Sequence, residues 1–181
     1  MSNQLKFYAG IGSRKTPVKI LDYMSRIATR LEEDGWLLRS GGAEGADSAF
    51  ESGLPYGVED NEIIILRNGF NEKHANNGYL NFGNATQEMK NKCDSIVYSI
   101  HPYWLNMPRW MKNLHSRNVM QILGYNLDSP VKFVLYWAPE DEHGIATGGT
   151  RTAVVLAQRL GIPTFNMLHD EVIERLERKY K

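Results

Sequence analysis

Hydrophobic positions along the chain switch between two periods. Short apolar runs, at Lys6–Ile11, Trp36–Leu38, Glu62–Leu66 (EIIIL) and Val131–Trp137 (VKFVLYW), alternate with stretches in which apolar residues recur every three or four positions. The first pattern is that of buried strands and the second that of helices with one covered face. Pro17 suits a first helical turn, and Ile20, Met24, Ile27, Ala28 and Leu31 then share one side of a helix up to Gly35. Further helices are predicted over Ala46–Glu51, Pro108–Leu123 and Arg151–Leu160. A last strand is predicted over Pro163–Asn166, and a C-terminal helix with Val172, Ile173, Leu176 and Tyr180 on one side. Strands that are apolar throughout suit a parallel sheet buried on both faces. The expected fold is α/β: one doubly wound, mainly parallel sheet with helices on both faces. The chain reads as a single domain, residues 1–181, with a loop-rich insertion at 68–106 that is rich in Asn and Gly and holds a short strand at Ser95–Ser99.

Composition supports a self-contained core, with 42% hydrophobic residues in 181. Lys plus Arg equals Asp plus Glu at 21 each, so no overall field draws the chain to nucleic acid or to an anionic membrane. The single cysteine, Cys93, has no partner for an internal disulfide or a zinc cluster and is expected in the core. No apolar run reaches membrane-spanning length and the N-terminus lacks a signal-peptide pattern. A cytoplasmic protein without a membrane partner is expected.

Candidate chemistry lies in three glycine-rich turns, GIGSR (10–14), SGGAEGAD (40–47) and TGGTRT (147–152), each following a predicted strand. In a doubly wound sheet such turns gather at the carboxyl ends of the strands, where bare peptide N–H groups can receive an anion. A ligand site is therefore expected across Gly12, Ser13 and Arg14, then Ser40, Gly41, Gly42 and Ala43, then Thr147, Gly148, Gly149 and Thr150. A side chain at Gly41 or Gly148 should abolish binding and spare the fold. Neither the dinucleotide fingerprint nor the phosphate loop with its lysine is present. Arg14 and Arg117 are suited to fork onto phosphate oxygens. Arg39 alternates with Ser40 along its strand and is expected to emerge at the surface, and His115 reads as a structural histidine.

The segments YAGIGSR, SGGAEGADSAFE, LHSRN and TGGT, spread from about residue 6 to 167, resemble the superfamily that joins the Rossmann-like domain of DNA-processing protein A with the Lonely Guy phosphoribohydrolases. The resemblance implies a Rossmann-like domain that binds a nucleotide, a nucleotide-derived ligand or single-stranded DNA at its glycine-rich edge. Lonely Guy enzymes split an N-glycosidic bond with an arginine from an M-H-x-R-K-like helix and a glutamate from P-G-G-x-G-T-x-x-E. LHSRN is similar to the first motif and places Arg117 on its arginine, but Val155 stands where the glutamate belongs. Losing such a group typically costs about 10² to 10⁴ in rate. If the protein is a hydrolase, Glu44 or Asp47 in the second turn would have to supply the carboxylate, with Arg117 as the catalytic arginine.

HPYWLNMPRW (101–110) interleaves Tyr103, Trp104 and Trp110 with Arg109. It reads as a cover on which a base stacks, as a satellite core, or as an interface in a homo-oligomer, with the pocket cover preferred. The preferred function is binding of a small nucleotide-type ligand, with or without hydrolysis of its N-glycosidic bond, without metal or cofactor. Single-stranded DNA binding is the alternative, ranked second because strand binders rely on a cationic track.

Overall fold

Periodicity and strand order together set the architecture of the computed structural model, which describes residues 5–180. In chain order the main elements are β1 (Lys6–Gly12), α1 (Val18–Glu33), β2 (Trp36–Ser40), α2 (Ala46–Ser52), β3 (Glu62–Ile65), β4 (Leu80–Asn81), α3 (Gln87–Ile100), α4 (Arg109–Leu123), β5 (Val134–Trp137), α5 (Arg151–Arg159), β6 (Thr164–Asn166) and α6 (Asp170–Lys179). The strands form one six-stranded sheet in the order β4-β3-β2-β1-β5-β6, and every pairing is parallel. This is the Rossmann-like α/β fold. The order reverses between β1 and β5, which places the topological switch point there and opens a crevice beyond their carboxyl ends.

Strand alternation divides the core into two layers. Phe7, Ala9 and Ile11 of β1 face α3, α4 and α5, where they meet Val97, Met120 and Val154. Tyr8 faces the other way, with Leu38, Ile63 and Leu135, onto α1 and α2. α6 closes that second layer through Val172, Ile173, Leu176 and Tyr180, all partly buried. No helix among the described residues is long and apolar enough to cross a membrane.

The predicted strand at Ser95–Ser99 is replaced by the last turns of α3. Thr86 caps that helix by accepting the Met89 N–H at 3.2 Å, and Cys93, Val97 and Ile100 are buried along one face. The β-rich look of SIVYS is local, whereas the apolar spacing from Met89 to Ile100 is helical and wins because it covers the sheet. Cys93 is fully buried in this layer, as expected. Arg39 is also corrected. It does point opposite to Ser40, but that side of β2 faces a helical layer, and Arg39 is 0% exposed. Its Nε donates to Glu62 at 2.7 Å and Nη1 to the Ser129 carbonyl at 2.6 Å, while the guanidinium lies 4.3 Å from the Phe7 ring.

Candidate functional site

The turns after β1 and β5 face each other across the switch point, and α4 forms the wall between them. They enclose a cavity of about 360 Å³ lined by Gly12–Lys15, Ala43, Asp47, Thr147–Thr150 and one face of α4, namely Leu114, Arg117, Asn118 and Gln121. The first turn is held by Ser13, whose N–H donates to the Trp137 carbonyl at 2.9 Å and whose hydroxyl accepts the Lys15 N–H at 3.1 Å. That hydroxyl keeps its own proton free to donate. The second turn touches the first at Gly45: its φ is +81°, and a Cβ there would lie 2.7 Å from the Arg14 Cα. The third turn begins the helical run that continues as α5, so its leading N–H groups have no intrahelical acceptor.

Asp47 and Arg117 form the floor. Both are almost completely buried, at 3% and 4% exposure. The Asp47 carboxylate accepts the Ala43 N–H at 3.4 Å and draws further on the amides of Gly12 and Gly41. Arg117 Nη1 lies 3.9 Å from Asp47 Oδ2, beyond a direct hydrogen bond, and donates instead to the Ile64 carbonyl at 3.3 Å. Burial therefore outweighs attraction at Asp47 and raises its carboxyl to about 6. Burial likewise pulls the Arg117 guanidinium below its ordinary value, against the pull of Asp47. The second turn thus already cradles an anion, and that anion is internal.

Of the residues expected from sequence, Gly12, Ser13, Arg14, Ala43, Thr147, Gly148, Gly149 and Thr150 line the cavity together with Asp47 and Arg117. Ser40, Gly41, Gly42 and Glu44 do not. Ser40 is fully buried and donates its hydroxyl to the Gly10 carbonyl at 2.6 Å, while Glu44 is exposed on the outside of its turn. Gly41 is bare for a different reason than ligand approach, because a Cβ there would sit 1.4 Å from Arg117 Nη1. A side chain at Gly41 therefore disturbs the interior, whereas Gly148 and Gly149 have open space around them. Val155 packs partly buried against the core and does not line the cavity.

Lys15, Asn118 and Gln121 were missed from sequence. The signal for the last two was available, since Leu114, Arg117, Asn118 and Gln121 follow the i, i+3, i+4, i+7 spacing of one helical stripe. Asn118 donates to the Gly149 carbonyl at 2.7 Å and fixes the third turn. His115 is buried, with its Nδ1 2.7 Å from Thr152 Oγ1, and burial lowers its imidazole to about 4. Segment 101–110 splits, with Trp104 in the core and Tyr103 and Trp110 exposed beside a second cavity.

No protein-family model and no curated protein sequence matches the chain. A solved structure does: DNA processing protein A from Helicobacter pylori, described for its unique single-stranded DNA binding mode, at 20% identity and a TM-score of 0.58. The match covers 90% of this chain but 65% of that one, so the chain spans about two thirds of its neighbour's length. At this identity the likeness is one of fold, and it falls on the DNA-processing side of the resemblance read from the sequence.

Proposed function

We propose that the protein binds single-stranded DNA through a backbone phosphate seated at the switch point between β1 and β5. The observation that carries this reading is the gathering of Arg14, Lys15 and Arg117 around one cavity with Gly148 and Gly149, whose N–H groups open the helical run before α5. Guanidinium and peptide donors at a helix N-terminus are the groups that receive phosphate. Whole-chain neutrality argued against strand binding, but a charge count averages over all faces. Here two exposed cations, Arg14 and Lys15, stand at the rim of the cavity. The fold shared with DNA processing protein A supports the strand over the free nucleotide. The test is fluorescence anisotropy with a labelled single strand, its duplex, and a mononucleotide as competitor. Single strands should bind in preference to both. Arg14→Ala should reduce the slope of log affinity against log salt by about 0.7, the share of one phosphate contact on a single strand. Equal competition by the mononucleotide, or an unchanged slope, removes the proposal.

A second reading, cleavage of a nucleotide N-glycosidic bond, draws on one observation: Asp47 titrates near 6 at the cavity wall, in the range useful to a general base. Against it, Asp47 is tied to backbone amides and Glu44 faces away. Release of free base from adenosine monophosphate, lost in Asp47→Asn, would establish this reading in place of the first.

A further inference from the structure

The cavity that holds Arg14 and Arg117 offers no aromatic side chain to a base. The aromatic faces lie next door, across a lip made of Leu114, Thr147, Gly148 and Gly149, which line both cavities. The neighbouring space measures about 880 Å³, within the size that encloses a drug-sized ligand. Tyr103 and Trp110, 68% and 60% exposed, stand on its wall beside Met107 and Met111. What sets these two rings apart from the exposed Tyr56 is that both stand on the wall of one cavity, where a planar ligand can reach their faces. Trp104 and Met107 of the same segment turn into the core, whereas Tyr103 and Trp110 stay outside it at the cavity wall. At the back, Arg151 donates through Nη1 to Asp141 at 3.2 Å while its Nε is buried without a partner among the described residues. The space therefore combines a stacking surface with a polar side, and it adjoins the cavity of the cationic turns across the shared lip.

We infer that this second cavity receives an unpaired nucleobase of the strand whose phosphate occupies the first, stacked on Trp110 and Tyr103. The inference rests on the single-strand reading above and adds a base subsite to it. Base-aromatic stacking is tolerant of sequence, because every base has a π face. The subsite thus selects single strands over duplex without selecting a sequence, since in a duplex both faces of a base are already stacked.

The experiment compares two labelled strands of about ten nucleotides, a length typical of small single-strand sites: oligothymidylate and an abasic strand with the same number of phosphates. Wild-type protein should prefer the thymidylate by about tenfold, the order expected for stacking of one base. The double variant Tyr103→Ala, Trp110→Ala should bind both strands with the wild type's abasic affinity. Thymidylate should also quench tryptophan emission in wild type and not in Trp110→Ala, whereas the abasic strand quenches neither. A preference that survives the double variant overturns the subsite, as does the absence of quenching. So does a wild-type dimer that Trp110→Ala converts to a monomer with strand preference intact, because the rings would then serve a second copy of the chain. If wild type binds both strands equally, the subsite falls and the phosphate reading stands; if it binds neither, both fall.

Discussion

Replacing Gly41 by alanine is expected to act on Arg117 rather than on a ligand. The added methyl would lie 1.4 Å from Arg117 Nη1 and 2.4 Å from Gln121 Nε2, so the guanidinium must leave its seat. It would then lose the Ile64 carbonyl and its place beside Asp47. Overpacking of an interior costs about 1–3 kcal/mol, and stripping a buried charge of its partner about 3–5 kcal/mol. The two costs overlap, because one displacement causes both. The second is also softened, since Asp47 titrates at about 6 and can take up a proton when its counter-charge withdraws. A net loss of about 3 kcal/mol follows, which for a domain of this size corresponds to roughly 6–12 °C in melting temperature. Thermal melts of wild type, Gly41→Ala, Arg117→Ala and the double variant measure it. In the Arg117→Ala background the closest clash is gone and only the Gln121 amide has to shift, into space that the guanidinium has vacated, so Gly41→Ala should cost much less there than in wild type. Strict additivity of the two single losses, or a Gly41→Ala protein that melts with the wild type, would refute the reasoning.

Asp47 makes stability depend on pH. Its carboxyl is raised from an ordinary 3.8 to about 6, so the folded state holds the proton more tightly. The contribution is fully present below about 4 and lost as the pH rises through about 6. Against Asp47→Asn, which cannot titrate, urea denaturation should show the wild type gaining about 2 kcal/mol between pH 6 and 4, with a slope below the limit of about 1.4 kcal/mol per pH unit; a difference that stays flat would mean the carboxyl is not buried in its charged form. Arg39→Ala should lower the urea midpoint by the equivalent of about 3–5 kcal/mol, from the lost Glu62 and Ser129 bonds and the hole left under β2. It should leave strand affinity unchanged, and a change in affinity without loss of stability would contradict the assignment.

The alternation of apolar runs with helical stripes made the sheet and its two layers legible, because EIIIL and VKFVLYW are apolar on both sides and only a doubly covered sheet accepts them. α3 was not legible in the same way. Its apolar stripe, Met89, Cys93, Val97 and Ile100, is diluted by Asn and Ser, and the local SIVY run imitates a strand. Arg39 failed for a related reason: alternation gave its direction correctly, but direction becomes burial only once the helix covering that face is known. At the site, chain order located the three turns, since glycine-rich segments after parallel strands must converge. It did not reveal which donors were already engaged. That Asp47 turns inward onto the amides of its own loop, or that Gly41 is bare to admit Arg117, depends on the seat of α4, which no stretch of adjacent residues encodes.

α4 ties three separate parts of the site together within four residues. His115 holds Thr152 at the start of α5, Arg117 holds the end of β3, and Asn118 holds the third turn. Each loop residue left to wander would have to be fixed when a ligand arrives, at about 1–2 kcal/mol of backbone entropy apiece. With the turns fastened to one rigid rod during folding, that ordering is complete before any encounter. Affinity for the proposed ligand then depends on the contacts themselves rather than on ordering of the third turn.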